Sequence, residues 1–227
     1  MIGNVGRGPG HGAPRPEAAP RLPPLPALAQ RLNATRIELL TLAALRVLPL
    51  PVAVFFARAR GRAHRRGDRF SLASAARPSE LATLLRLAAG RGEVVELGTG
   101  TGWTAAALAL AAADRRVISY DPSERPERAG YLRLAGSAGQ RVRLRALPDA
   151  AGPLAGDPPA ELLFVDSSHE REATVRAFGA WRCALAPAAV VVFHDYGHPA
   201  YPGVAEAVAE LGLSGAREGG LFVWRAP

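Results

Sequence analysis

Four titratable side chains lie in two short runs of the chain's second half. Asp166 and His169 belong to Leu162-Leu-Phe-Val-Asp-Ser-Ser-His-Glu170, and His194 and Asp195 to Ala189-Val-Val-Val-Phe-His-Asp-Tyr196. Each run is an apolar stretch that turns polar at its end, as a buried strand does when it delivers its last side chains to a sheet edge. Imidazole titrates near neutrality, so His169, or alternatively His194, suits removal of a proton from a hydroxyl. Asp166 and Asp195 offer the hard oxygen donors that a magnesium ion prefers. A third run, Val94-Val-Glu-Leu-Gly-Thr-Gly-Thr-Gly-Trp-Thr104, leads a strand through a glycine-rich turn into a helix. Such a turn lets backbone approach a ligand closely and presents the unpaired N–H groups of a helix start.

The ligand of that turn is narrowed by two residues. A dinucleotide fingerprint needs its last glycine at position 103, where Trp103 stands, and an indole hinders the close helix–strand packing which that glycine permits. Glu96, just ahead of the first glycine, would repel a diphosphate and suits a ligand bearing a cation. With Glu96, Gly98, Gly100 and Gly102 in the form acidic-x-Gly-x-Gly-x-Gly, the sequence resembles class I S-adenosylmethionine-dependent methyltransferases. The resemblance implies that the turn packs on the methionine part of the cofactor and that Glu96 acts on its amino group, often through water. It also implies an acid at the end of the next strand accepting both ribose hydroxyls. Asp121, in Val117-Ile-Ser-Tyr-Asp121, stands there, and it also reads as a helix N-cap ahead of Pro122-Ser123-Glu124. Asp149 takes the place of an acid near the adenine amine, although Leu147-Pro148 replaces the usual glycine and an exposed loop aspartate is the alternative. The expected cofactor contacts are thus Glu96, Gly98, Thr99, Gly100, Gly102, Trp103, Asp121, Asp149 and Asp166.

The Asp-x-x-His and His-Asp-Tyr runs resemble a subgroup of small-molecule O-methyltransferases, many of which modify sugars or polyketides. The resemblance implies a catalytic set of His169, Asp166 and His194, and a magnesium site at Asp166 and Asp195. Tyr196 replaces the Asp or Asn that usually gives the third ligand, and strand alternation is expected to turn His194 to the opposite face. A nucleic-acid methyltransferase is the alternative, disfavoured because Asp166-Ser-Ser-His stands where base-amino methylases often carry Asn/Asp-Pro-Pro-aromatic. A cofactor-binding module without turnover is a further one.

The elements that must position these residues follow from Arg77 onward. Helices are predicted over 78–87, 103–113, 123–135, 170–185 and 204–211, and strands over 93–97, 116–120, 141–146, 161–165, 189–193 and 221–224. Alternating strands and helices predict one Rossmann-like α/β domain over 77–227, with a mostly parallel sheet of six or seven strands covered on both faces. Residues 1–26, rich in Gly, Pro, Ala and Arg, read as a disordered tail, and 27–76 as a helical extension followed by a basic linker. A secretory signal is not expected, and Glu38, Arg46, Pro49 and Pro51 argue against a membrane span.

All 28 basic residues of the 227 are arginine, and the net charge is +8. Residues 1–76 carry twelve arginines against three acids, whereas the remainder carries sixteen against seventeen. The predicted domain is therefore nearly neutral, so a small-molecule acceptor is expected and nucleic acid is not; the basic N-terminal stretch leaves contact with a membrane surface open. The single cysteine, Cys183, falls in an apolar helical context, reads as a buried thiol and suits the cytoplasm.

Overall fold

The apolar runs pair into one seven-stranded sheet, in the order β3-β2-β1-β4-β5-β7-β6. The structure is a computed structural model that describes residues 43–227; the expected tail and the start of the extension lie outside the described residues. Strands β1 (Glu93–Leu97), β2 (Arg116–Tyr120), β3 (Val142–Arg145), β4 (Ala160–Val165) and β5 (Leu185–Phe193) run parallel. Strand β7 (Leu221–Arg225) pairs antiparallel with β5, and β6 (Ala216–Glu218) antiparallel with β7. The strand order reverses between β1 and β4, so the loops that leave their carboxyl ends diverge and open a crevice. The fold is the expected Rossmann-like one.

Side-chain alternation splits the core into two layers. Val94, Val117, Leu162, Phe164 and Val190 face a layer formed by α1 (Leu50–Arg66), α3 (Pro78–Leu87), α4 (Trp103–Leu110) and α5 (Glu127–Leu134). Val95, Leu97, Leu163, Val165 and Val191 face α7 (Arg171–Trp181), through Phe178 and Trp181, and α8 (Pro202–Glu210), through Val204 and Val208. Two short helices, α2 (Arg69–Ser74) and α6 (Ser137–Gln140), complete the described set.

Three expectations are corrected. The expected helical extension is not continuous: a 3-10 turn at Leu45–Val47 ends before Pro49, and α1 starts afresh at Leu50 with a proline in its first turn. The basic stretch after it is no linker but the second half of α1. Val52, Phe55, Phe56, Ala59 and Ala63 carry a buried stripe through the arginines and join the same core as α3 and α4. The domain therefore does not start at residue 77. Third, Cys183 is exposed, because α7 stops at Trp181 and a 3-10 turn at Arg182–Ala184 breaks the helical phase that would have buried it. Among the described residues no helix is long and apolar enough to cross a membrane.

Candidate active site

A cavity of about 740 Å³ opens at the carboxyl edge of the sheet, large enough for a cofactor and a small acceptor together. Its floor is the glycine loop. Gly98 has φ 98°, and a Cβ there would stand 2.1 Å from the carbonyl oxygen of Asp166, so the turns after β1 and β4 touch backbone to backbone. Gly102 is the N-cap of α4 with φ 82° and supplies no side-chain cap, which leaves the first N–H groups of that helix available to a ligand.

Asp121 fastens this loop to the next. Its Oδ2 accepts from Gly100 N (2.9 Å) and from Arg128 (2.9 Å), and Oδ1 accepts from Ser123 N (2.8 Å). It caps a turn rather than α5, which begins only at Glu127. Oδ1 accepts one bond and keeps capacity for a hydroxyl donor. Thr99 is held by Ser119, Oγ1 to Oγ 2.7 Å. Asp149, on the cavity wall, accepts from Ser167 through its carboxylate and from Trp181 Nε1 (2.8 Å) through its carbonyl. Trp103 also lines the cavity, packs edge-on against Phe56 and Tyr131, and has a buried Nε1 with no hydrogen-bond partner.

Glu96 is placed differently from the other expected contacts. It is 1 % exposed and lies outside the cavity lining, turned toward its β2 register neighbour Ser119, which donates to Oε2. Burial pushes its carboxyl up to about 8 despite that hydrogen bond, and the nearby charge of Asp166 adds to the rise.

The polar ends of β4 and β5 meet across the cavity. His194 Nδ1 lies 2.8 Å from Asp166 Oδ1 and 3.5 Å from Asp195 Oδ2, while Nε2 lies 3.3 Å from Glu80 Oε2. Burial disfavours the charged ring, but hydrogen bonds to Asp166, Asp195 and Glu80 overcome it and push the imidazole up to about 12. With both nitrogens committed to carboxylates, His194 has no lone pair to act as a base. Nor does it point to the opposite face: β5 ends at Phe193 and Asp195 adopts φ 55°, so alternation stops where the turn begins. Burial alone would raise the Asp195 carboxyl, but the adjacent His169 and His194 rings hold it well below the usual range.

His169 faces the same point. Its buried Nε2 lies 2.9 Å from Asp195 Oδ2 and 3.9 Å from Asp166 Oδ1, yet makes no well-aligned hydrogen bond. The ring stacks on Tyr201 at 4.1 Å, and His198 stacks on the same tyrosine at 4.8 Å. Ligand atoms of Asp166, His169 and Asp195 lie within 4.8 Å of one another, a grouping that could hold a metal ion. Tyr196 packs against Phe222.

Several cavity residues escaped the sequence reading, Tyr201 and His198 among them. Glu80, in the first turn of α3, carries the pattern of an ordinary acidic helix start. Phe70 on α2 and Arg125, whose guanidinium sits 3.6 Å over the Phe70 ring, form an outer wall, and a basic run with one aromatic gave no signal of it.

Residues 95–196 match a family model described as a methyltransferase domain. No curated protein sequence matches the chain. Among solved structures, the fold is similar to that of TomG, an O-methyltransferase of tomaymycin synthesis from Streptomyces achromogenes solved with S-adenosylmethionine. Identity is 20%, the TM-score is 0.56, and the match covers 79% of this chain and 91% of that one. An O-methyltransferase from Bacillus cereus, solved with S-adenosylhomocysteine, is similar at 16% identity and a TM-score of 0.55, over 68% of this chain and 84% of that one. CalS11, a TDP-rhamnose 3'-O-methyltransferase of calicheamicin biosynthesis, is similar at 19% identity and a TM-score of 0.52, over 64% and 76% respectively. Family match, sheet order and glycine loop agree: residues 95–196 match a methyltransferase domain, and they sit in a Rossmann-like fold.

Proposed function

We propose that the protein transfers a methyl group from S-adenosylmethionine to a hydroxyl of a small acceptor, a sugar or other natural product. One observation carries this reading: a single cavity is lined both by the glycine loop with Asp121 and by Asp166, His169 and Asp195. The bound cofactor supplies a methyl group already activated as a sulfonium, so the protein's task is alignment and proton removal. The residues fit it: loop backbone is bare enough for close approach, and Asp121 retains an acceptor lone pair for the ribose. The acceptor hydroxyl sits where His169 Nε2 meets the two carboxylates, and Nε2 takes its proton. Tyr201, stacked on His169, fixes the ring and walls the acceptor side. The O-methyltransferases of similar fold that act on a TDP-sugar or in natural-product synthesis support the acceptor class.

A divalent cation fits the same atoms. Asp166, His169 and Asp195 would hold it, and it would acidify the hydroxyl; it would share both carboxylates with His194. Turnover unchanged by a chelator leaves His169 as the sole base, whereas loss that magnesium or manganese restores assigns the cation. The test of the whole reading is calorimetry with S-adenosylmethionine on wild type and Asp121→Ala, followed by transfer of labelled methyl to TDP-rhamnose and a panel of phenols. Binding weakened about tenfold or more in the variant is expected, since a charge-assisted hydrogen bond is lost. Absence of binding, or equal binding by both proteins, overturns the assignment.

A further inference from the structure

We propose that Glu80 is a positioning residue of the active site, holding the His194 ring so that Asp166 stays aimed at the acceptor; this rests on the reading above. Glu80 comes from α3, 114 positions from its partner and ahead of the region matching the methyltransferase family. Its side chain is 11% exposed, as is that of His194. An imidazole with a carboxylate at each nitrogen donates from both, and that double donation fixes the ring plane against rotation. One donation goes to Asp166 Oδ1, leaving the other oxygen of that carboxylate for the acceptor. Phe164 closes the ring's remaining side, with centroids 5.9 Å apart.

Glu80 is itself held from two directions. Arg77, one residue before α3, lies close enough to favour its charge, and Gly220, before β7, packs against its other oxygen. A Cβ at Gly220 would stand 2.4 Å from Glu80 Oε1, so an alanine there must displace the carboxylate. Gly220 also accepts from Tyr196 N at 2.8 Å, which joins the β6–β7 turn to the loop carrying His194 and Asp195. Removing the Glu80 carboxylate leaves His194 Nε2 without an acceptor, frees the ring and loosens Asp166.

The experiment compares wild type, Glu80→Ala, Glu80→Gln and Gly220→Ala. Three quantities are read: affinity for S-adenosylmethionine, kcat and KM with whichever panel acceptor turns over, and the His194 ring N–H signals by NMR on histidine-labelled protein. Wild type is expected to show two slowly exchanging N–H signals. Glu80→Ala is expected to lose the Nε2–H signal and about tenfold or more in kcat, with cofactor affinity within about twofold. Glu80→Gln keeps an acceptor oxygen and restores both signal and rate, while Gly220→Ala follows Glu80→Ala. Intact N–H signals in Glu80→Ala, or a kcat lost equally in the glutamine variant, overturn the proposal. If wild type fails to bind the cofactor, the proposed function falls while the NMR arm still judges Glu80.

Discussion

Gly98 and Gly100 stand two positions apart in the same loop, both with positive φ, yet they tolerate substitution very differently. At Gly98 a methyl group meets a backbone carbonyl that no rotamer change can move; at Gly100 the nearest atom is Phe70 Cε1, 3.9 Å away. Gly100→Ala is expected to cost about 1 kcal/mol, the price of left-handed backbone alone, and to keep cofactor binding. Gly98→Ala is expected to cost roughly 3 kcal/mol or more, or to prevent folding. Denaturant titration separates the two, and equal losses would show that the crossing under Gly98 yields. At this scale residue types are readily read from the chain and side-chain directions poorly. Asp166, His169 and Asp195 were legible because apolar runs ended on them. The direction of His194 was not, since a left-handed Asp195 is a property of the turn. Glu80 had no local signal at all, its partner being far away in the chain.

Among the elements, α2 depends most on a single side chain. Asp68 accepts from Ser71 N (3.0 Å) and Ser71 Oγ (2.6 Å) as the cap of α2, and from Tyr131 Oη (2.6 Å) on α5. These hydrogen bonds hold its carboxyl below the ordinary range although burial opposes them. Asp68→Ala is expected to destabilise the protein by about 1–2 kcal/mol and to weaken S-adenosylmethionine binding severalfold, because the Phe70 wall is no longer fixed. Calorimetry checks this, and unchanged affinity would mean that α2 does not shape the cofactor site. Strands β1 and β2 were readable to the residue, being apolar runs bounded by polar ones. Strand β6, Ala-Arg-Glu, had no such pattern and exists because β7 pairs with it. The start of α5 was read too early: Asp121 holds Ser123 in a turn, and Pro126 marks the real beginning.

For the molecule as a whole, the buried Glu96 sets a pH dependence of stability. An unfolded glutamate ionises near 4.5, whereas this one ionises only near 8. Its raised folded value means that the contribution is complete below the lower pH and is lost as pH climbs through the higher one. Glu96→Gln removes that loss: the variant is expected to be about 2 kcal/mol more stable than wild type at pH 8.5, and no more stable at pH 4. Parallel melting-temperature profiles for the two proteins would show that Glu96 does not govern the curve. The sheet, its topology class and the near-neutral charge of the catalytic half could all be read from the chain. The reach of the core into residues 45–76 could not, because arginines hide the stripe that α1 buries.

The matched stretch, residues 95–196, divides the cavity by origin. The glycine loop, Asp121 and the polar strand ends come from within it, while Phe70, Glu80, His198 and Tyr201 come from either side. Two of the outer residues, His198 and Tyr201, stack beside His169 and lie after the matched stretch, whereas Phe70 stands against the glycine loop. Redesign for a new acceptor therefore belongs in the patch around His198 and Tyr201, and the glycine loop with the wall that Phe70 gives it can be left untouched.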